Sequence, residues 1–235
     1  MEKQKAIFNW SGGKDSSLCL HKVLSDSKFN IKYLLTTLNG QNKRVSMHGV
    51  AEQLLDAQAE SIGLPLKKLF LPEFPTMGEY DTLISDFFKN LMAEGITTSI
   101  FGDIFLEDLR EYREKQLKTI GLKAEFPLWK IDTKDVARDF IDKGFKSIIV
   151  SIDKRYLDKS FAGRIYDDSF LNDLPKNVDP CGENGEFHSF VFDGPIFKNP
   201  ISFKKGEVVY KQYKSHSKEN PEVKNGFWYC DLISN

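Results

Sequence analysis

Three cysteines in 235 residues, Cys19, Cys181 and Cys230, lie far apart, form no CxxC pair and are odd in number. They provide neither a disulfide framework nor a zinc site, and they fit a reducing compartment. Excess charge is also missing: 33 basic against 34 acidic residues leave a formal net charge of -1. A strongly basic footprint is thereby excluded, so nucleic acid is not expected as a partner and a small substrate is the simpler reading. No segment approaches the roughly 18 uninterrupted apolar residues of a membrane span. The start of the chain, two lysines and a glutamate before a short apolar run, is not a signal peptide. No membrane association is expected, and the cytoplasm is the expected location. Internal repeats, low-complexity tracts and a Pro/Ser-rich linker are absent as well.

What is present is an ordinary folding composition, 40% hydrophobic and 29% charged, close to the average soluble globular chain. Short apolar runs at Ala6–Trp10, Ile31–Leu38, Leu66–Leu71, Thr97–Phe101 and Lys146–Ser151 read as strands. Between them, Asp15–Leu24, Val50–Ile62, Tyr80–Met92, Glu107–Ile120 and Val136–Ile141 read as helices, with Gly63, Gly95 and Gly121 as stops. The alternation predicts an α/β fold: a mainly parallel five- or six-stranded sheet with helices on both faces, binding ligands at the carboxyl ends of its strands. Beyond about Tyr156 the pattern turns to Gly, Pro and Asn breaks between aromatic-rich strands, such as Phe187–Phe192 and Val208–Tyr213. A smaller C-terminal α+β portion is expected there. The division is placed at residues 1–130, a ligand-binding part, and 131–235, a smaller second part.

The first strand runs into Ser11-Gly12-Gly13-Lys14-Asp15-Ser16-Ser17. A strand, a small-residue loop and a helix start aim backbone N–H groups and the positive end of a helix dipole at one point. Gly12 and Gly13 clear space for an anion, Lys14 adds a mobile cation, and Ser11, Ser16 and Ser17 add hydroxyls. A phosphate ligand is the favoured reading; the alternative is a structural turn with Asp15 and Ser16 capping the helix. The spacing is neither GxxxxGK[ST] nor GxGxxG. The stretch resembles the PP-loop of the adenine-nucleotide alpha-hydrolase-like ATP pyrophosphatases, a HUP-type fold. That resemblance implies ATP bound by Ser11, Gly12, Gly13, Lys14, Asp15 and Ser16, and cleavage to AMP and pyrophosphate.

A second dense stretch, "DPCGENGEFHSFVFDGPIF" from Asp179 to Phe197, crowds Glu183, Glu186 and His188 beside Gly182 and Gly185. The carboxylates can position an amine, hold a metal or act as acid and base; equally, Asn184-Gly185 can be a plain hairpin turn with solvated glutamates. "CGENGEFHSF" is similar to the C-terminal signature of the diphthine-ammonia ligase family, and "GDIFLEDLREYREK", "GLKAEFPLW" and "DKSFAGR" agree with it. The resemblance implies ATP-dependent amidation. An acceptor carboxylate attacks the α-phosphorus, pyrophosphate leaves, and ammonia displaces AMP, with Mg²⁺ balancing the phosphate charge. In the family the carboxylate belongs to diphthine on elongation factor 2. Lys14, Glu183 and Glu186 are then the expected catalytic residues, with Asp15 a Mg²⁺ ligand. Gly102-Asp103-Ile104, followed by an acidic run, departs from the Gly-Ala-Ile of the diphthamide-making branch. It looks like the bacterial-type branch, which leaves another carboxylate as acceptor. Two further readings stay open: a PP-loop enzyme adenylating a different metabolite or a tRNA base, and an ATP-binding sensor without turnover.

Single residues complete the expectation. His48 and Gly102 are assigned to the nucleotide; Asp103, Arg164 and His188, with the two glutamates, to the substrate. For His48 and His188 the competing reading is a hydrogen-bonding role, and for Asp103 a turn. His21 and His216 are read as structural or solvated, Arg110 as part of a solvated charged face, and Cys181 as a buried thiol.

Overall fold

The computed structural model describes residues 3–45, 48–72, 76–214 and 224–234; His216 lies outside them. Strand β1 (Gln4–Asn9) leads through the glycine loop into α1 (Lys14–Ser25). There follow β2 (Phe29–Asn39), α2 (Glu52–Ile62), β3 (Leu66–Leu71), α3 (Met77–Ala93), β4 (Thr98–Ile100), α4 (Glu107–Thr119) and β5 (Lys123–Glu125). These five strands form one sheet in the order β3-β2-β1-β4-β5, with every adjacent pair parallel. Ala6, Ile7 and Phe8 of β1 are fully buried, as a central strand covered on both faces must be. Alternation sends Ala6 and Phe8 into one core with Leu18 and Leu20 of α1 and Leu54 and Leu55 of α2. Ile7 enters the other core, with Ile84, Phe88 and Leu91 of α3 and Leu117 of α4. Helices on both faces follow from that alternation.

Local chemistry sets the helix ends. Gly63 closes α2 in the left-handed region, φ 83°, donating to the Ala59 and Glu60 carbonyls. Thr76 opens α3 with a capping box: its hydroxyl accepts from the Glu79 amide and its own amide donates to the Glu79 carboxylate, satisfying two donors that a helix start leaves bare.

The remainder is α5 (Thr133–Asp142), β6 (Lys146–Asp153), a short 3-10 turn at Lys159–Phe161, α6 (Asp168–Asp173), β7 (Phe187–Asp193), β8 (Phe203–Lys214) and β9 (Lys224–Ser234). Its sheet is antiparallel, in the order β7-β6-β9-β8. The strand at Lys146–Ser151, read from its rhythm as continuing the parallel sheet, belongs to this second sheet. The fifth parallel strand is instead Lys123–Glu125, three residues long and mostly polar, which gives hydropathy no run to detect. Ile148, Ile149, Phe187 and Phe190 share the core of Phe8, Leu20 and Leu54, so one apolar core joins the two sheets. Among the described residues no helix is long and apolar enough to cross a membrane.

Candidate functional site

The chain leaves β1 toward β2 on one side and returns to β4 on the other, so the carboxyl end of β1 is the point where strand order reverses and a crevice opens. Asn9 holds that edge together, its Nδ2 donating to Ser99 Oγ at 2.8 Å and to the Ile100 carbonyl at 2.9 Å. The next turn needs glycine at position 12: φ is 77°, and a Cβ would lie 2.7 Å from Gln58 Oε1 and 2.8 Å from Leu55 Cδ2. Gly13 is the N-cap of α1, with no side chain capping it. The serines tie the loop to itself: Ser11 Oγ is 3.0 Å from Ser16 Oγ and accepts from the Gly13 amide, while Ser16 and Ser17 donate to the Gly13 carbonyl. Gly102 lets the end of β4 rest on this turn, since a Cβ there would stand 3.1 Å from Ser16 Cα.

The second motif lies directly against this loop. The Val191 amide donates to the Gly12 carbonyl at 2.9 Å, and the Lys14 amide donates to Ser189 Oγ at 3.2 Å. The Lys14 ammonium donates to the Asp15 carboxylate at 2.7 Å and to the Cys181 carbonyl. Lys14 is 4% exposed, so the mobile cation expected from sequence is a fixed one here. Gln58 fastens both motifs: its Nε2 donates to the carbonyls of Gly12 at 3.1 Å and Val191 at 2.6 Å, and its Oε1 accepts from Trp10 Nε1 at 2.9 Å.

The Asp179–Glu186 segment is not a solvated hairpin. Asp179 Oδ1 accepts from the amides of Cys181 and Glu183. Glu186, 1% exposed, accepts from the Asp179 amide and from the amide and side chain of Asn184. Its carboxylate therefore holds the loop's own shape. Glu183 reaches outward to accept from the Ile104 amide at 3.4 Å, just after Gly102 and Asp103. His48 and His188 stack with ring centroids 4.4 Å apart; His48 Nδ1 and His188 Nε2 are enclosed without a hydrogen-bond partner.

Burial dominates the electrostatics. It raises the Glu183 pKa to about 7, helped by the Asp15 carboxylate and opposed by Lys14. It likewise raises Asp15 against the pull of Lys14, and Asp103 against that of Arg113, with which Asp103 is ion-paired. Desolvation lowers His48 to about 4 and holds His188 well below its ordinary value. For Lys14, burial disfavours the charge, but the Asp15 carboxylate overrides it and the pKa is raised. The result is a buried ammonium paired with Asp15 and close to Glu183, beside two imidazoles that burial keeps from taking up a proton.

Next to the loop is a cavity of about 310 Å³, lined by Asn9, Trp10, Ser11, Thr36, His48 and Arg113 among others. That lies at the lower end of the roughly 300–1,000 Å³ of small-molecule sites. No cluster of three His, Cys, Asp or Glu side chains set to hold a metal occurs among the described residues. The Asp15 Oδ1 atom is nevertheless buried and unpartnered, and Mg²⁺ commonly takes only one or two carboxylates, substrate phosphates supplying other ligands. The residues present therefore fit a Mg²⁺ ion bound together with phosphates.

Ser11 to Ser16, His48, Gly102, Asp103, Glu183, Glu186 and His188 thus gather at one place. Arg164 does not join them: it is bonded to Asp173 at 2.7 Å and Ser169 at 3.2 Å and lies over Phe161 and Phe170. Arg110 stands over the Trp129 and Phe126 rings, which anchors it more firmly than a solvated charge. Sequence reasoning passed over Gln58, Asp179, Ser189 and Arg113. Gln58 left a signal, as a polar residue four positions after Leu54 on the apolar stripe of α2.

The diphthamide synthase N-terminal domain matches residues 4–124 and the diphthamide synthase C-terminal domain matches residues 132–221. The chain belongs to the diphthamide synthase family. Relatives of this family member include a diphthine-ammonia ligase of Schizosaccharomyces pombe, 30% identical over 135 residues, covering 52% of this chain and 22% of that protein. The Homo sapiens diphthine-ammonia ligase is 28% identical over 180 residues, 68% of this chain and 66% of that one. The Danio rerio protein of the same name is 25% identical over 224 residues, 85% of this chain and 86% of that one. The chain thus spans about a fifth of the fission-yeast relative and just under two thirds of the human one. Among solved structures, the U34-tRNA thiolase NcsA of Methanococcus maripaludis aligns with a TM-score of 0.38 at 16% identity, over 59% of this chain and 56% of that one; so low a likeness carries no argument.

Proposed function

We propose that the protein is a cytoplasmic ATP-dependent amide ligase that adenylates an acceptor carboxylate and passes the acyl group to ammonia, releasing AMP and pyrophosphate. The observation that carries this reading is the direct bonding of the two motifs, Gly12 to Val191 and Lys14 to Ser189 and Cys181. A phosphate site and a carboxylate-rich loop are thereby a single site. The relatives' names, diphthine-ammonia ligase, support the same chemistry.

In this reading the cavity at the ends of β1, β2 and β4 takes the adenosine, and the uncapped start of α1 takes the phosphates, where amide donors and the helix dipole favour anions. Asp15 would hold Mg²⁺, which supplies charge neutralisation on the phosphates. Glu183, poised near neutrality, accepts a proton from the incoming amine, as a base with a pKa near the working pH does best. Glu186 keeps the loop that presents Glu183 in shape. The acceptor is a carboxylate, with diphthine on a protein the first candidate from the relatives' names.

The test is product analysis with Mg²⁺, ammonium and candidate acceptors, beginning with a diphthine-bearing protein. AMP, pyrophosphate and an amide in equal amounts are expected. Release of ADP and phosphate would refute the reading.

A further inference from the structure

Lys14 occupies an unusual setting for a cation in a phosphate-binding loop. Its ammonium group is buried between the Asp15 carboxylate and the Cys181 main-chain carbonyl. The Phe187 ring centroid lies 5.4 Å away and that of Tyr166 5.8 Å away. Both rings are fixed: Tyr166 donates its hydroxyl to the Pro180 carbonyl at 2.8 Å, and the two rings pack around Phe170. A carboxylate, a carbonyl and two ring faces around an N–H₃ group make a cage suited to a small desolvated cation.

Anionic phosphates at the adjacent start of α1 compete with this cage for the lysine, whose flexible four-carbon stem lets the head group move. A lysine drawn outward leaves behind a buried carbonyl and carboxylate that have lost their donor, an arrangement that strongly favours refilling. We propose that this cage is the ammonium site of the protein: Lys14 fills it in the nucleotide-free state, and a free NH₄⁺ replaces the lysine head group once a nucleotide draws it to the phosphates. The proposal rests on the ammonia-ligase reading above and adds to it a site, its residues and a binding order. NH₄⁺ matches the vacated group in charge, size and N–H donors. Tetramethylammonium has the charge without the donors and is too large.

The protein is titrated with ammonium chloride, against tetramethylammonium chloride at equal ionic strength, with and without Mg²⁺ and α,β-methylene-ATP, which cannot be cleaved at the α–β bond. The readout is the melting temperature, with ¹⁵N-ammonium NMR as a direct measure of binding. Wild type should respond specifically to ammonium only when the analogue is bound, by about 3–5 °C at ten times the dissociation constant. Lys14→Met, which removes the resident head group, should respond to ammonium without any nucleotide. Analogue binding with no ammonium-specific response in wild type overturns the cage; so does an equal response with and without the analogue. If Lys14→Met does not fold, the wild-type comparison decides alone. Failure of the analogue itself to bind would instead overturn the ATP-dependent reading, and this proposal with it.

Discussion

The two titrating groups that flank the glycine loop pull the pH dependence of stability in opposite directions, and Glu183→Gln separates them. His48 is shifted down from 6.5 to about 4. Between those values the unfolded chain binds a proton that the folded one refuses, so stability is lost as pH falls through this window. Glu183 is shifted up from 4.5 to about 7. Between those values the folded chain keeps a proton that the unfolded one releases, so this contribution is present below pH 4.5 and lost as pH rises to 7. At 1.36 kcal/mol per tenfold change in proton affinity, each effect has an upper size of about 3 kcal/mol; His188 adds to the acid-side loss, and Asp15 and Asp103 act in the same sense as Glu183. Asp15, Lys14, Asp103 and the Ile104 amide all act on Glu183, and the glutamine variant removes its titration together with the smallest of the influences that raise Lys14. Urea unfolding from pH 4 to 8 is the assay. Relative to wild type, Glu183→Gln should gain about 3 kcal/mol on going from pH 4 to 8, which exposes the acid-side loss due to His48 and His188. A variant whose stability runs parallel to wild type across that range would refute the placement of Glu183 in a desolvated acidic cluster.

Three other substitutions follow from the geometry. Gly12→Ala forces a Cβ into Gln58 and Leu55 at a positive φ and should cost about 2 kcal/mol in denaturant unfolding, from strain and overpacking together, with loss of nucleotide binding in calorimetry. Gln58→Leu keeps the buried volume but strands Trp10 Nε1 and the Val191 carbonyl; about 3 kcal/mol is expected, at the usual cost of unsatisfied buried polar groups. Arg113→Ala removes the partner of Asp103, a pair that is neither fully exposed nor fully buried. Its loss should fall at about 2 kcal/mol, between the cost for a surface pair and that for an enclosed one, and acidifying the buffer should lessen it as Asp103 takes up a proton.

The parallel half of the fold was legible because its strands are apolar runs and its helices carry apolar stripes ending at glycines. Ala6 to Phe8, Leu54 with Leu55, and Gly63 are examples, and each is a local signal. The failures are equally physical. Lys123–Glu125 is held by its neighbour β4 rather than by its own hydropathy, and nothing local says so. The run at 146–151 reads as a buried strand whichever sheet it joins, since periodicity carries no information on pairing. In the candidate site, residue types with obvious chemistry could be read from sequence and the residues that support them could not. Gln58 and Ser189 act through hydrogen bonds to partners distant in sequence. Glu186 looked like a functional carboxylate because a sequence cannot show that its acceptors are filled by Asp179 and Asn184.

That last distinction bears on how the site is built. Two glutamates three residues apart sit in one glycine-rich loop, yet they do different work because one points into the loop and one out of it. Glu186 satisfies donors that a tight turn otherwise leaves bare, and in doing so it frees Glu183 to face Lys14, Asp15 and Ile104. The glycine loop shows the same division: Ser11, Ser16 and Ser17 spend their hydroxyls on the loop itself, and Gly13 at the N-cap of α1 brings no capping side chain, Ser189 taking only the Lys14 amide. Gln58 then bonds the two loops to each other. The chemistry presented at the surface, amides from one loop and a carboxylate from the other, depends on an inner layer of polar side chains already committed to the backbone. Replacing a residue of that inner layer should therefore disturb both loops at once, whereas replacing Glu183 should leave the architecture standing and change only how the site handles protons.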